Sequence, residues 1–225
     1  MNGELRPLDK SEIARYLGCG PEGPDARTAA LIRQCEEELL RAARPRYTYR
    51  VFDLRPQPEG IQVGESGFYL TGQAIRDHLA GCERGALLAA TLSVETDRLI
   101  RTAGLLDPAA GLVMDCCATA AIEQLCDAVE AQIKAQFPGC RFPFRFSPGY
   151  GDLPLSLQRD FLAATDAQRA IGLTANDACM LIPVKSVTAV LGICRGTPAP
   201  PRHSCDICER REDCALRRKG EHCGF

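Results

Sequence analysis

Two hydrophobic periods alternate along the chain. Ile13, Tyr16 and Leu17 share one face of a short helix predicted over 9–19, which Asp9 or Ser11 can cap. Ala29, Ile32, Cys35, Leu39 and Ala43 recur at helical spacing and predict a longer helix from Asp25 to Arg44, ended by Pro45. Tyr47–Leu54 is rich in β-branched and aromatic residues and reads as a strand. Ile61–Val63 and Phe68–Leu70, bracketed by glycines, read as a hairpin-like pair. Gln73–Ala80 is helical, Gly85–Val94 is a buried strand and Glu95–Leu106 is helical again. Asp107-Pro108 opens the longest helical stretch, to about Phe137, which Pro138-Gly139 stops. Pro143–Phe146 reads as a short strand running into a loop over 147–154, and Leu155–Ala164 as a helix. Cys179–Pro183 and Val187–Cys194 read as strands joined by a tight turn around Lys185.

Strands and helices alternate irregularly, so the expected fold is α+β. A mixed or antiparallel twisted sheet is flanked by helices, with a small Cys-rich tail. The Pro-rich run 196–201 divides a domain over 1–195 from a tail over 196–225.

Composition narrows the function. The chain has 225 residues, and 27 basic side chains face 29 acidic ones. That balance gives no electrostatic footprint for nucleic acid. The longest apolar run noted, Gly85–Val94, is half of the roughly 20 residues that span a bilayer. Charges at Glu4, Arg6, Asp9, Lys10 and Glu12 sit where a signal peptide has its apolar core, so a cytoplasmic protein off the membrane is expected. No Ser-His-Asp set, paired carboxylates or phosphate-cradling glycine loop stands out.

Thirteen cysteines change the picture. In a reducing cytosol disulfides are not expected, so clustered thiols point to metal or redox chemistry. Nine are scattered between Cys19 and Cys194 in mostly apolar contexts, where a free thiol acts as a small hydrophobe. Cys116-Cys117 reads as helix packing and His78 as a surface or satisfied histidine. Four others, Cys205, Cys208, Cys214 and Cys223, form a compact set that could ligate zinc as a structural clip or hold an iron–sulfur cluster. His203, His222 or Cys194 could replace one of them.

The octapeptide Arg145-Phe-Ser-Pro-Gly-Tyr-Gly-Asp152 carries the other candidate chemistry. Arg145 offers a planar fork for a carboxylate, Gly149 admits close backbone approach, and Tyr150 offers a flat face with a polar tip. It reads as a binding loop for a zwitterionic or nucleoside-like ligand, or else as a surface turn with an arginine on its rim.

Taken with Ile171-Gly-Leu-Thr174 and Met180-Leu-Ile-Pro-Val-Lys-Ser-Val187, the octapeptide resembles the S-adenosylmethionine-binding activation domain of cobalamin-dependent methionine synthase. Asp115 and Glu123 in Asp115-Cys-Cys-Ala-Thr-Ala-Ala-Ile-Glu123 resemble that family's acidic helix. Ile13-Ala-Arg-Tyr-Leu-Gly18 is similar to the opening of short, free-standing versions. The match is clearest over 107–193.

The resemblance implies an activation subunit, not a complete enzyme alone. Such a subunit binds S-adenosylmethionine beside a corrinoid on a partner, while an electron donor and the methyl of S-adenosylmethionine restore methylcobalamin. It implies that Arg145 holds the ligand carboxylate, that Gly149 and Tyr150 shape the adenosine and methionine contacts, and that Glu123 lies near the sulfonium or amino group. The implied partners are a corrinoid-binding methionine synthase subunit and an electron-donor protein.

The chain also departs from that family. Its aromatic-rich N-terminal motif with a ligand-binding aspartate is absent, and 187–193 lacks the family's aromatics. An iron–sulfur protein that reduces corrinoid cobalt without S-adenosylmethionine, or a zinc-clipped scaffold, are the alternative readings.

Overall fold

The computed structural model describes residues 1–65 and 67–195, together with 212, 213 and 218. The four tail cysteines Cys205, Cys208, Cys214 and Cys223, and the linker over 196–201, lie outside the described residues.

Helix α1 (Lys10–Tyr16) starts at Asp9, whose side chain accepts the Ser11 N–H. Helix α2 (Ala26–Ala42) is capped by Asp25 through the Thr28 N–H and buries Ile32, Cys35 and Leu39. Glu36 is buried on the same helix. It accepts the Leu8 N–H at 2.7 Å and lies 3.6 Å from Lys10, which ties the N-terminal segment down.

Strand β1 (Arg46–Gln57) pairs antiparallel with β2 (Gly60–Val63), which pairs with β3 (Tyr69–Leu70). The expected hairpin-like pair is present, with Ile61 opposite Leu70. Helix α3 (Gln73–His78) leads to β4 (Cys82–Thr91). Helix α4 (Val94–Leu106) turns at Asp107 into α5 (Pro108–Ala135). The Asp107 carboxylate caps α5 through the Ala109 N–H, and Pro108 fills the first turn, where no amide partner is needed.

After β5 (Cys140–Arg141) come a 3₁₀ turn (Leu155–Leu157), α6 (Gln158–Ala164), α7 (Ala167–Ile171), β6 (Thr174–Ala175), β7 (Leu181–Ile182) and β8 (Ser186–Arg195). The main sheet has the order β3-β2-β1-β4-β8-β5, and β6-β7 form a separate ribbon. The pairings are antiparallel throughout, as the α+β expectation requires.

Three sequence expectations are corrected. The strand expected at 143–146 lies at Cys140–Arg141, and Phe146 makes only an isolated bridge to Val190. Phe142-Pro143 intervenes, and Pro143 has no N–H to extend the ladder. The turn at Lys185 closes no hairpin, since β7 pairs with β6 and β8 pairs with β4. A disulfide joins Cys82 to Cys194, directly opposite across β4 and β8, where free thiols were expected. Cys194 is therefore not available as a metal ligand in this state.

Helices cover both faces of the sheet. Ala86, Leu88, Ala90, Ala189, Leu191 and Ile193 face α1, α2 and α5. Leu87 and Val190 face Ile75, Leu79 and Phe161 on the other side, and Ala89 faces Leu162 and Ile171. Two-sided burial explains why β4 is a nearly continuous apolar run without alternation.

Helix α5 is the central helix. It is long and apolar enough by composition to cross a membrane, where the sequence led us to expect no such run. Here it is a core helix, burying Met114, Cys117, Ala121, Leu125, Cys126, Val129 and Ile133. Cys116 and Cys117 are both buried packing residues, as expected. The apolar environment raises the Cys117 thiol to about 12.

Candidate functional site

The loop that follows Phe146 is placed by one rung of sheet. Phe146 and Val190 exchange both backbone hydrogen bonds, at 3.0 and 2.9 Å. Phe146 is fully buried, and its ring lies 4.9 Å from His78 and 5.9 Å from Tyr150. The loop then closes on itself, with the Gly149 N–H donating to the Leu153 carbonyl and the Tyr150 N–H to Ser147. Gly149 has φ +91°, a conformation that favours glycine. Tyr150 as a residue is 40% exposed.

Asp152 fastens this loop to α3. Its carboxylate accepts the Gln73 N–H at 2.6 Å and the Ala74 N–H at 2.9 Å, the two amides at the helix start. A Cβ at Gly72 would fall 2.5 Å from the Asp152 carboxylate, so that position is closed to larger residues. His78 on the same helix sits 2.8 Å from the Phe144 carbonyl through Nε2. It is a satisfied histidine, as expected. Burial holds it below the usual histidine range, against the pull of that carbonyl.

Arg145 points the other way, into α5. Its side chain is 6% exposed and meets three carboxylates of one helix face. Nη1 donates to Asp127 at 2.8 Å and to Glu130 at 2.6 Å, and Nη2 donates to Glu123 at 3.1 Å. Burial alone would pull the guanidinium down, but Cys126, Asp127 and Glu130 around it hold it above its ordinary value. Burial raises the Glu123 carboxyl, and Arg145 opposes that rise. Lys134 also reaches Glu130, at 2.6 Å.

A second cation lies further toward the start of α5. Lys185 Nζ is 2.9 Å from both Asp115 and Thr119. Its turn is held by Asp97 of α4, which accepts the Val184 N–H at 2.7 Å and the Lys185 N–H at 3.3 Å. Asp115, Thr119, Glu123, Asp127 and Glu130 therefore form one stripe along α5, with Lys185 and Arg145 at its two ends.

The structure thus brings Arg145 and Glu123 together at α5, whereas Tyr150 meets the ring of Phe146, which packs in the other core cluster with Ile75, Leu79 and Phe161. Asp127, Glu130, Lys185 and Asp152 were not singled out as site residues from sequence. The signal was present for two of them, since Glu123, Asp127 and Glu130 repeat at i, i+4 and i+7. Among the described residues no group of three or more His, Cys, Asp or Glu is placed to hold a metal ion.

No family model and no curated protein matches the sequence. Structure does match. A crystal structure of the MetH reactivation domain bound to AdoHcy aligns with a TM-score of 0.64, covering 98% of this chain and 85% of that one at 12% identity. The fold is that of the MetH reactivation domain. The expected fold is thus present, at 12% identity. The reactivation-domain fold spans nearly the whole chain, and here it places the Arg145–Asp152 loop beside β8 and α5.

Proposed function

We propose that this chain is the activation subunit of a cobalamin-dependent methionine synthase, or of a related corrinoid methyltransferase, and works as a soluble cytoplasmic protein. It binds S-adenosylmethionine and supports reductive remethylation of cobalt held on a corrinoid-binding partner. The observation that carries this reading is the reactivation-domain fold over 98% of the chain, combined with an Arg145–Tyr150 loop seated on β8.

The residues fit such a ligand in kind. Arg145 is a carboxylate-binding fork. Gly149 leaves room at the backbone, where an added Cβ would meet only Leu155 at 3.5 Å. Tyr150 offers an exposed ring to an adenosyl group, and Glu123 a carboxylate to a cation. Bound there, S-adenosylmethionine supplies the methyl group. The chain's own residues orient it, while the partner's corrinoid carries the redox chemistry.

Within this reading the domain covers 1–195, and Cys205, Cys208, Cys214 and Cys223 of the tail over 196–225 hold an iron–sulfur cluster or zinc. An electron-donor protein completes the system. Anaerobic purification followed by iron, sulfide and zinc analysis separates the two metals.

Calorimetric titration with S-adenosylmethionine tests the reading. Micromolar binding is expected for the wild type, with loss in Arg145→Ala. Tyr150→Ala leaves the buried ion pairs intact, and it is expected to weaken binding without unfolding the protein. Absence of binding, with and without a corrinoid partner, overturns the reading.

A further inference from the structure

Arg145 is already occupied by carboxylates of its own chain. A guanidinium 6% exposed cannot stand without counter-charge, because stranding a buried ion costs several kcal/mol. Asp127 and Glu130 share Nη1, while Glu123 meets Nη2, by the longest of the three contacts. Glu123 is also the carboxylate whose ionised form burial penalises. A ligand carboxylate arriving at Arg145 therefore meets a resident group, and the resident held least firmly is Glu123.

The local charge decides what kind of ligand can take its place. Among the described residues the ion pairs of Glu123, Asp127 and Glu130 are with Arg145 and Lys134, so that cluster carries one net negative charge. Glu12 and Arg15 of α1 stand nearby, paired with each other at 2.5 Å, and add none. A bare anion would displace Glu123, deepen the negative charge and leave a half-buried carboxylate without a cation. A zwitterion brings its own cation for Glu123 to meet.

We infer that Glu123 is a built-in stand-in for the ligand carboxylate, and that ligand binding is an exchange. The ligand's carboxylate takes Arg145 Nη2, and Glu123 turns to the ligand's ammonium group, while Asp127 and Glu130 keep the guanidinium in place as positioning residues. The exchange selects an amino-acid head group over a simple carboxylate. This inference rests on the proposed S-adenosylmethionine site and adds to it the role of the free protein's own ion pairs.

The test is a ligand panel titrated calorimetrically against the full chain and Glu123→Gln. The probes are S-adenosylhomocysteine, its deaminated analogue with carboxylate but no amine, and 5′-methylthioadenosine with neither. Wild type is expected to prefer S-adenosylhomocysteine over the deaminated analogue by about tenfold, the size of a coupled charge pair. In Glu123→Gln that gap is expected to close to about twofold or less, because the neutral amide competes only weakly for Arg145 and demands no cation. Equal affinity of wild type for the two compounds overturns the inference, whether or not the variant folds. So does a tenfold gap that persists in a folded Glu123→Gln. Equal binding of 5′-methylthioadenosine and S-adenosylhomocysteine overturns the exchange but leaves an adenosyl site standing. Failure of all three to bind wild type overturns the site itself.

Discussion

The Asp152 carboxylate accepts the backbone N–H of Gln73 at 2.6 Å, across 79 residues of sequence. One side chain thus caps helix α3 and fixes the loop that carries Gly149 and Tyr150. Asp152→Ala is expected to cost about 1 kcal/mol of stability, the usual worth of a helix cap. It should also weaken any ligand bound at Tyr150, because the loop loses its latch. Urea unfolding and calorimetry on the same sample read both effects. A stable variant with unchanged ligand affinity would show that the loop holds itself.

Gly104 and Gly111 let α4 and α5 touch backbone to backbone. A Cβ at Gly111 would sit 2.5 Å from the Gly104 Cα. Gly111→Ala is expected to force the helices apart at a cost of about 1–3 kcal/mol. Thermal melting checks this, and Gly104→Ala, whose Cβ would lie 3.8 Å from the Gly111 Cα, serves as the milder comparison.

Among the described residues the Thr188 hydroxyl on β8 finds no hydrogen-bond partner, and the residue is 2% exposed. A buried polar atom left unpaired is a standing penalty. Thr188→Val keeps the β-branched shape and removes the hydroxyl, so it is expected to stabilise the fold by about 1 kcal/mol. Chemical denaturation measures the change. A loss of stability would mean that a bridging water satisfies the hydroxyl.

His78 makes stability depend on mild acid. Burial, aided by the nearby Arg141 charge, keeps it neutral in the folded chain to lower pH than in the unfolded chain, whose histidine titrates near 6.5. As pH falls through that value the unfolded state takes up a proton that the folded state resists, so stability drops. The drop is expected to be smaller in His78→Gln, which is read as the difference between the two melting profiles from pH 7.5 to 5.5. NMR titration of the histidine resonance gives the shift directly.

Local chemistry was legible where the cause was local. Asp25 and Asp107 announced helix starts, Pro45 and Pro138 announced ends, and the apolar run of β4 announced a buried strand. Much less could be read where partners lie far apart in sequence. Cys82 and Cys194 are separated by 112 residues, and only the sheet register makes them opposite. Helix α7 has five residues with two buried, too short for a period to show. Arg145 stood out in the sequence as a cation beside a turn, but its carboxylate cradle required knowing which face of α5 the chain returns to.

The single rung between Phe146 and Val190 has a consequence for inheritance of error. The candidate loop takes its height above the sheet from Val190, and Val190 takes its place from the ladder with Leu87 on β4. Strands have a period of two, so a slip of β8 by one residue would move every one of its side chains to the opposite face. The loop would be carried along the edge by one step, and Arg145 would lose its alignment with the acids of α5. Spatial tolerance at the periphery is therefore decided at the centre, in the small residues Ala86, Ala89 and Ala189 that let β4 and β8 sit flush between two helical layers. Enlarging any of them would misplace a loop that it never touches.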